Sequence, residues 1–267
     1  WIYIFMLLVV GVYLCWNVPA VYAEPRSETE NTVILATPDD PYYPLAEEVS
    51  AVENIPIYHT FADAVQAQPV YLLWIVAPER LSESVMLNFG GELNNLDATI
   101  SVGIISGKDI NEARELWLRG KQIPTNSFAI INGTKENKIE PEILYFDGET
   151  EGTLELTKEN VLEVLQKAGN IQITMEGAAG SWFEQKLDIT VKYSDIPELP
   201  SNIIQNYGCS TFQPWNDHSI ALECTSKGAA AYLGFISPSI TGTRFGDYTD
   251  TSLRYTWEEF PLGHLVQ

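Results

Sequence analysis

Cysteine is scarce in this chain, which has only three among its 267 residues, at positions 15, 209 and 224. Secreted domains that depend on disulfides carry cysteine at a much higher density, so the sequence excludes a disulfide framework. Cys209 and Cys224 fall on different predicted elements, and we expect them to remain unbridged.

Metal-binding and nucleotide-binding motifs are also missing. The three histidines, His59, His218 and His264, are far apart, and the sequence contains no C-x-x-C and no H-E-x-x-H. These spacings are typical of transition-metal sites, so the sequence argues against one. G-x-G-x-x-G and Walker motifs are absent too, which removes the usual fingerprints of a nucleotide cofactor.

Basic residues are few. Lys and Arg number 15 against 36 Asp and Glu, and the formal net charge is -21. Such a surface repels phosphate backbones and anionic lipid headgroups, so we expect no nucleic-acid partner. The excess of negative charge fits a bacterial protein that is exported and kept soluble by repulsion.

The N-terminal segment has the pattern of an export signal. Residues 1–16 are apolar and uncharged, and Ala23 precedes a charged, polar stretch at residues 24–31. This pattern predicts a signal peptide at residues 1–23 and a linker at 24–31, with no membrane contact after cleavage and a secreted or cell-surface location. An uncleaved anchor is the alternative. Because the sequence opens on Trp1 and stops at Gln267, we expect it to be part of a longer chain.

The first half alternates short apolar runs with segments of helical periodicity, which is typical of an α/β fold. The predicted strands are residues 32–37, 55–59, 70–77 and 100–106, and the predicted helices are residues 44–54, 60–68, 81–96 and 110–121. The run 70–77 is continuously apolar, as expected of a parallel strand covered on both faces. Right-handed crossovers between such strands predict a doubly wound, mostly parallel sheet flanked by helices.

The second half repeats this alternation. Residues 128–132 and 143–146 predict a hairpin, and glycines with acidic residues mark a loop at 148–152. Further predicted helices are residues 157–168 and 219–227, and further predicted strands are residues 171–175, 202–207 and 229–236. We therefore predict two subdomains, a front one at 32–152 and a second one at 153–267.

Two strand ends in the second half carry unusual residues. Function in open parallel sheets lies at the carboxyl ends of the strands. The strand at 171–175 is followed by Glu176 and Gly177, and the strand at 202–207 is followed by Cys209 between glycine and serine. This position puts a thiol on an exposed turn, whereas a structural cysteine more often lies inside an element. We predict that the two strands are parallel neighbours, with Glu176 and Cys209 at one edge and facing one cleft.

Residues 170–246 resemble the catalytic subdomain of the gingipain family of caspase-like cysteine peptidases. One strand of that family ends in a Gly-His-Gly turn followed by a Trp, and residues 175–177 (MEG) with Trp182 occupy these positions. The next core strand ends in the nucleophilic cysteine, which corresponds to Cys209. A helix then leads into a Lys-Gly-Ala-x-Ala-Tyr-x-Gly strand, matched by residues 227–234 (KGAAAYLG). The resemblance implies a caspase-like fold with two subdomains.

The resemblance also implies roles for three catalytic positions. Cys209 would attack a peptide carbonyl, and the backbone N–H groups of Gly177 and Cys209 would form the oxyanion hole. A histidine at position 176 would move the proton, but this chain has Glu176 there. A carboxylic acid is about four pKa units stronger than a thiol, so a carboxylate draws a thiol proton poorly. It also repels the thiolate that an imidazolium would stabilise, and the sequence therefore predicts an impaired peptidase.

Three more residues are candidates for substrate binding. Trp182 and Trp215 are predicted to line a groove, and burial at the sheet edge is the alternative. His218, nine residues after Cys209, is predicted at a helix start behind Asp217 as N-cap. It is an alternative general base, or else an exposed first-turn histidine.

Two functions remain open after this reading. The first is a secreted gingipain-like homologue that has lost most catalysis and keeps its cleft for a protein or peptide ligand. The alternative is an active cysteine endopeptidase with Cys209 as nucleophile and Glu176 or His218 as base. A structural module with a vestigial cleft is a third option. We expect no cofactor. The resemblance leaves structural calcium open, because related family members carry it and the acidic surface could host it, but no EF-hand-like spacing supports it here.

Overall fold

The structure is a computed structural model that describes residues 32–96, 100–120, 127–133 and 141–236. The predicted signal peptide at residues 1–23, the linker at 24–31 and His264 lie outside the described residues. Within these ranges, no helix combines the length and the apolar character needed to cross a membrane.

The first group of elements alternates strand and helix as predicted. The strands are β1 (Thr32–Leu35), β2 (Ile57–Tyr58), β3 (Tyr71–Ile75) and β4 (Ser101–Ile105). The helices are α1 (Tyr43–Glu53), α2 (Phe61–Gln66), α3 (Glu83–Asn94) and α4 (Ile110–Arg119). Thr60, Ser82 and Asp109 cap α2, α3 and α4 by accepting hydrogen bonds from first-turn N–H groups.

These four strands form one parallel sheet in the order β2-β1-β3-β4. Alternate residues of β1 point to opposite faces, since Ile34 packs with α1 and α4 while Val33 packs with α2 and α3. The sheet is therefore covered by helices on both faces, which confirms the doubly wound arrangement predicted for this half.

The second group contains nine strands and two α-helices among the described residues. The strands are β5 (Phe128–Asn132), β6 (Glu142–Phe146), β7 (Glu151–Glu155), β8 (Asn170–Ile173), β9 (Glu176–Ala178), β10 (Ser181–Glu184), β11 (Ile189–Lys192), β12 (Ile203–Asn206) and β13 (Ala231–Leu233). The helices are α5 (Lys158–Leu165) and α6 (Ile220–Ser226).

Six of these strands form a mixed sheet in the order β13-β12-β8-β5-β6-β7. The predicted hairpin is confirmed, because β5 and β6 pair antiparallel. The predicted loop at 148–152 is too long, since β7 begins at Glu151 and pairs with β6. The chain changes sheets between β4 and β5, so the boundary placed at 152 and 153 lies inside a strand of the second sheet.

The two strands that carry the candidate site are parallel neighbours. Ile204 of β12 pairs with Ile171 of β8, and both side chains enter the main core. This confirms the predicted pairing of residues 171–175 with residues 202–207. The core also contains side chains of α5, α6 and β10. The fold is thus an α/β arrangement of parallel and mixed sheets flanked by helices.

The remaining strands form a small antiparallel sheet, ordered β11-β10-β9, which the sequence did not predict. It begins at Glu176, separated from the end of β8 by Thr174 and Met175. All described residues belong to one compact unit of the chain. Contacts between α4 and α6 join the two larger sheets, with Lys108 Nζ 2.6 Å from Glu223 Oε2.

Candidate functional site

The first part of the site is the turn that follows β8. Met175 is buried at 1% exposure, while Glu176 is exposed at the start of β9. Gly177 pairs with Trp182 of β10, and the Glu176 carboxylate accepts a hydrogen bond from Gln185 Nε2 at 3.2 Å. The small sheet therefore holds the backbone of this turn, and the Gln185 amide holds the Glu176 carboxylate.

The second part is the turn that follows β12. The Asn206 side chain accepts a hydrogen bond from the N–H of Gly208 at 2.6 Å, which bends the chain away from the sheet. Cys209 comes next and is half-buried. Ser210 has a φ of 55°, a left-handed conformation that is costly for a residue with a Cβ. Strained turns of this kind occur preferentially at functional sites, so the Cys209 turn has a local feature of a nucleophile turn.

The two turns are in direct contact. A Cβ added to Gly177 would lie 3.0 Å from the carbonyl oxygen of Cys209 and would collide with the Thr211 methyl group. A Cβ added to Gly208 would lie 2.8 Å from both Gly177 N and Met175 O. Only glycine permits such an approach. The structure thus brings Gly177 and Cys209 together and places Glu176 at the same edge, as predicted, while their catalytic roles stay predictions.

His218 lies at the other end of the small sheet. The His218 ring stacks on the Tyr193 ring, with the ring centroids 4.7 Å apart. The His218 backbone lies close to Gly180 in the β9–β10 turn, since a Cβ added to Gly180 would lie 2.8 Å from the His218 carbonyl oxygen. His218 is exposed, and the N-cap of α6 is Ser219 rather than the predicted Asp217. His218 therefore contacts the tip of the β9–β10 hairpin at Gly180. Gly180 is three residues along the chain from Gly177, the glycine that contacts the Cys209 turn.

The two candidate tryptophans differ in environment. Trp215 is half-buried in the loop that leads from the Cys209 turn to α6. Trp182 is fully buried, with 0% exposure, and its Nε1 donates a hydrogen bond to the Tyr232 hydroxyl at 3.2 Å. The Trp182 side chain thus has no exposed surface with which to contact a substrate. Trp182 therefore corresponds to the alternative given in the sequence analysis, a buried aromatic residue at the sheet edge.

The second cysteine belongs to the core. Cys224 of α6 has 0% exposure and is a thiol without a disulfide, so it is not bridged to Cys209. Burial raises the pKa of the Cys224 thiol well above its usual range, and the neighbouring Glu223 carboxylate raises this pKa further. Cys209 is therefore the cysteine in the described ranges whose position allows chemistry at the surface.

No group of three or more His, Cys, Asp or Glu side chains in the described residues is arranged to hold a metal ion. The groups that these two turns offer for chemistry are a half-buried thiol at Cys209 and, on the contacting turn, an exposed carboxylate at Glu176. The sequence did not identify two residues that contact the site, Gln185 and Thr211, because no sequence motif indicates their contacts with Glu176 and Gly177.

Comparisons with known proteins gave no relative. No protein-family model matches the chain, and neither a curated protein nor a solved structure matches it. The resemblance to gingipains therefore rests on the residues quoted for it alone.

Proposed function

We propose that this chain is a secreted, gingipain-like homologue of the caspase-like cysteine peptidases, with impaired catalysis and a retained peptide-binding cleft at Cys209. The observation that carries the proposal is the contact between the turns after β8 and β12. The resemblance assigns the base position to the first turn and the nucleophile to the second. Gly177 touches the Cys209 backbone across these turns.

A second relationship supports the same proposal. The resemblance was drawn from three separate sequence landmarks, and two of them, Trp182 and the tyrosine of the last motif, Tyr232, are hydrogen-bonded to each other. The third, Cys209, is two residues before Thr211, and a Cβ added to Gly234 would lie 2.7 Å from Thr211 Oγ1 and 3.0 Å from the Tyr232 ring, so Thr211 and Tyr232 lie close together. Landmarks 50 residues apart in sequence, like Trp182 and Tyr232, meet only if the fold brings them together.

Impaired catalysis follows from the residue at position 176. Glu176 is exposed, and its carboxylate already accepts a hydrogen bond from Gln185. Transfer of a thiol proton to a carboxylate is uphill by about four pKa units, whereas imidazole is well matched to a thiol. In this proposal Cys209 lacks a matched general base, and the cleft binds an extended peptide without cutting it efficiently.

The proposal is tested by restoring the base. Glu176→His should raise hydrolysis of a mixed, fluorescence-quenched peptide library by about 10²–10⁴-fold, the usual gain from a positioned general base. Glu176→Gln is the matched control, because it removes the charge without adding a base. Glu176→His/Cys209→Ala should return activity to background.

Two results would overturn the proposal. Strong Cys209-dependent turnover by the wild type would establish the active endopeptidase instead, and loss of that turnover in His218→Ala would identify its base. No gain in Glu176→His, with folding intact by circular dichroism, would mean that the cleft lacks more than its base.

A further inference from the structure

The outer edge of the four-stranded sheet is formed by β4, which pairs only with β3 among the described residues. The Ser101 N–H donates to the Val70 carbonyl oxygen at 2.9 Å, so Ser101 directs its backbone groups toward β3. Successive residues of a strand direct their N–H and C=O groups to opposite sides. The N–H and C=O groups of Val102 and Ile104 therefore point to the open side of the sheet.

This edge lacks the features that prevent a further strand from pairing. β4 has the sequence Ser-Val-Gly-Ile-Ile, with no charged residue and no proline, and it runs in continuous register with β3. Ser101 and Gly103 are exposed, and a Cβ added to Gly103 would have one neighbour, the Leu73 side chain at 3.6 Å. An uncharged edge strand of this kind is a template for another extended segment.

The helix beside this edge is also incompletely covered. α3 carries five apolar side chains larger than alanine, and none of them is buried. The ring centroids of Phe89 in α3 and Trp74 in β3 are 4.7 Å apart, and Trp74 pairs with Ile104 of β4. Val85, one turn before Phe89 on the same face of α3, is 36% exposed. An apolar surface therefore continues from β4 to α3 on this face of the sheet.

The charge of the protein indicates which kind of chain would pair with this edge. The formal net charge is -21, and α3 carries two glutamates and no basic residue. Two copies of the chain that met edge to edge would bring these negative charges together, and such repulsion favours the monomer. A segment rich in lysine or arginine is attracted instead.

We propose that the β4 edge is a docking site for an extended, cationic segment of another polypeptide, which adds a fifth strand to the sheet. The backbone of this segment bonds the N–H and C=O groups of Val102 and Ile104. Its side chains on the α3 face lie beside these two residues and are apolar. Its side chains on the other face lie beside Ser101 and Gly103, and Gly103 leaves room there for a long basic side chain.

The proposed docking site is independent of the function proposed for the Cys209 turn, and it is tested with a peptide of defined pattern. The probe is a fluorescein-labelled octapeptide that alternates valine with lysine, titrated with the full chain and followed by fluorescence anisotropy. We expect saturable binding that weakens as salt is added, because part of the attraction is electrostatic. An octapeptide that alternates valine with glutamate keeps the strand pattern and should bind about tenfold more weakly or worse.

A matched pair of variants at Gly103 tests where the peptide binds. Gly103 does not have a positive φ, and its virtual Cβ has ordinary contacts, so Gly103→Lys and Gly103→Glu should both fold. Gly103→Lys should weaken binding of the valine–lysine peptide by about threefold or more, since like charges on neighbouring strands repel. Gly103→Glu should strengthen this binding, and both effects should reverse for the valine–glutamate peptide.

Backbone pairing is tested with N-methylated forms of the valine–lysine peptide. An antiparallel strand bonds Val102 and Ile104 through its valines, whereas a parallel strand bonds them through its lysines. One peptide is methylated at every valine nitrogen and the other at every lysine nitrogen. One of the two should bind about tenfold more weakly or worse, because several hydrogen bonds of about 1 kcal/mol each are lost, and the other shows that methylation alone is tolerated.

Four results would overturn the proposal. The first is the absence of saturable binding by the wild type up to about 1 mM peptide. The second is equal affinity for the lysine and glutamate peptides, and the third is unchanged affinity in both Gly103 variants or with both methylated peptides. The fourth is a concentration-dependent dimer in sedimentation velocity that Gly103→Lys and Gly103→Glu both abolish, which would assign the edge to a second copy of this chain.

Discussion

The indole nitrogen of Trp182 lies 3.2 Å from the hydroxyl oxygen of Tyr232, and this bond joins β10 of the small antiparallel sheet to β13 of the six-stranded sheet. The Trp182 side chain is fully buried. We therefore expect both the volume of the indole ring and its N–H donor to contribute to the stability of the fold.

Substitution of Trp182 separates these two contributions. Trp182→Ala should lower the free energy of unfolding by about 3–5 kcal/mol, since it leaves a large cavity. Trp182→Phe keeps most of the apolar contact but leaves the Tyr232 hydroxyl without its donor, at a cost of about 1–3 kcal/mol. Urea unfolding measures both values, with Trp74→Phe in the four-stranded sheet as the control. Equal losses for the two Trp182 variants would show that the hydrogen bond dominates over volume.

Replacing glycine by alanine should have opposite effects on the free energy of unfolding at two positions. A methyl group at position 177 collides with Thr211 and the Cys209 carbonyl, so Gly177→Ala should destabilise the protein by about 1–3 kcal/mol. Gly91 is exposed within α3 and has no atom near its virtual Cβ, so Gly91→Ala should stabilise it by about 0.5–1 kcal/mol. Thermal and urea unfolding measure both changes. A stabilising Gly177→Ala would contradict the contact between the two turns.

The sequence predicted the elements whose burial leaves a clear periodic signal. A continuous apolar run identified β3, and the ends of the two site strands located Glu176 and Cys209 on one edge. The strand β7 was missed because it is rich in Gly, Thr and Glu and lies at the exposed edge of its sheet. Its pairing with β6 is a tertiary contact that outweighs its weak intrinsic preference.

The small antiparallel sheet was missed for a related reason. Its first strand, β9, has three residues, Glu-Gly-Ala, which carry no strand signal of their own. The hydrogen bond between Trp182 and Tyr232 was equally unpredictable from the sequence, because the two residues lie on strands of different sheets that only the tertiary fold brings together. The sequence pattern was sufficient to locate the candidate site at the strand ends. The contacts that hold its two turns together depend on tertiary packing and could be seen only in the structure.

The two described cysteines should differ in reactivity. Cys224 is buried with a raised pKa, so it is protonated and inaccessible at neutral pH, while Cys209 is half-buried on its turn. Iodoacetamide under native conditions should therefore label Cys209 and spare Cys224, and both should react in 8 M urea. Peptide mapping by mass spectrometry distinguishes them. Native labelling of Cys224 at a comparable rate would contradict its position in the core.

Two tyrosines with raised pKa values, one buried (Tyr42) and one half-buried (Tyr232), should make the fold sensitive to alkali. Burial, followed by the nearby carboxylate of Glu79, raises the pKa of Tyr42 well above its usual range, and the Tyr42 hydroxyl donates to the Gly107 carbonyl at 2.7 Å. Burial, with a smaller contribution from Cys224, likewise raises the pKa of Tyr232.

The sign of the effect follows from proton binding. A tyrosine in the unfolded chain loses its proton near pH ~10, whereas these two hold theirs in the folded state to higher pH. Their contribution to stability is thus complete below about pH 10 and falls as the pH rises above it. The free energy of unfolding, measured in urea from pH 7 to pH 11.5, should decline steeply at the alkaline end. Tyr42→Phe/Tyr232→Phe should be less stable at pH 7, because two hydrogen bonds are lost, but should show a shallower alkaline decline. An unchanged alkaline slope in the double variant would assign the decline to other groups and contradict the buried, protonated state of these two hydroxyls.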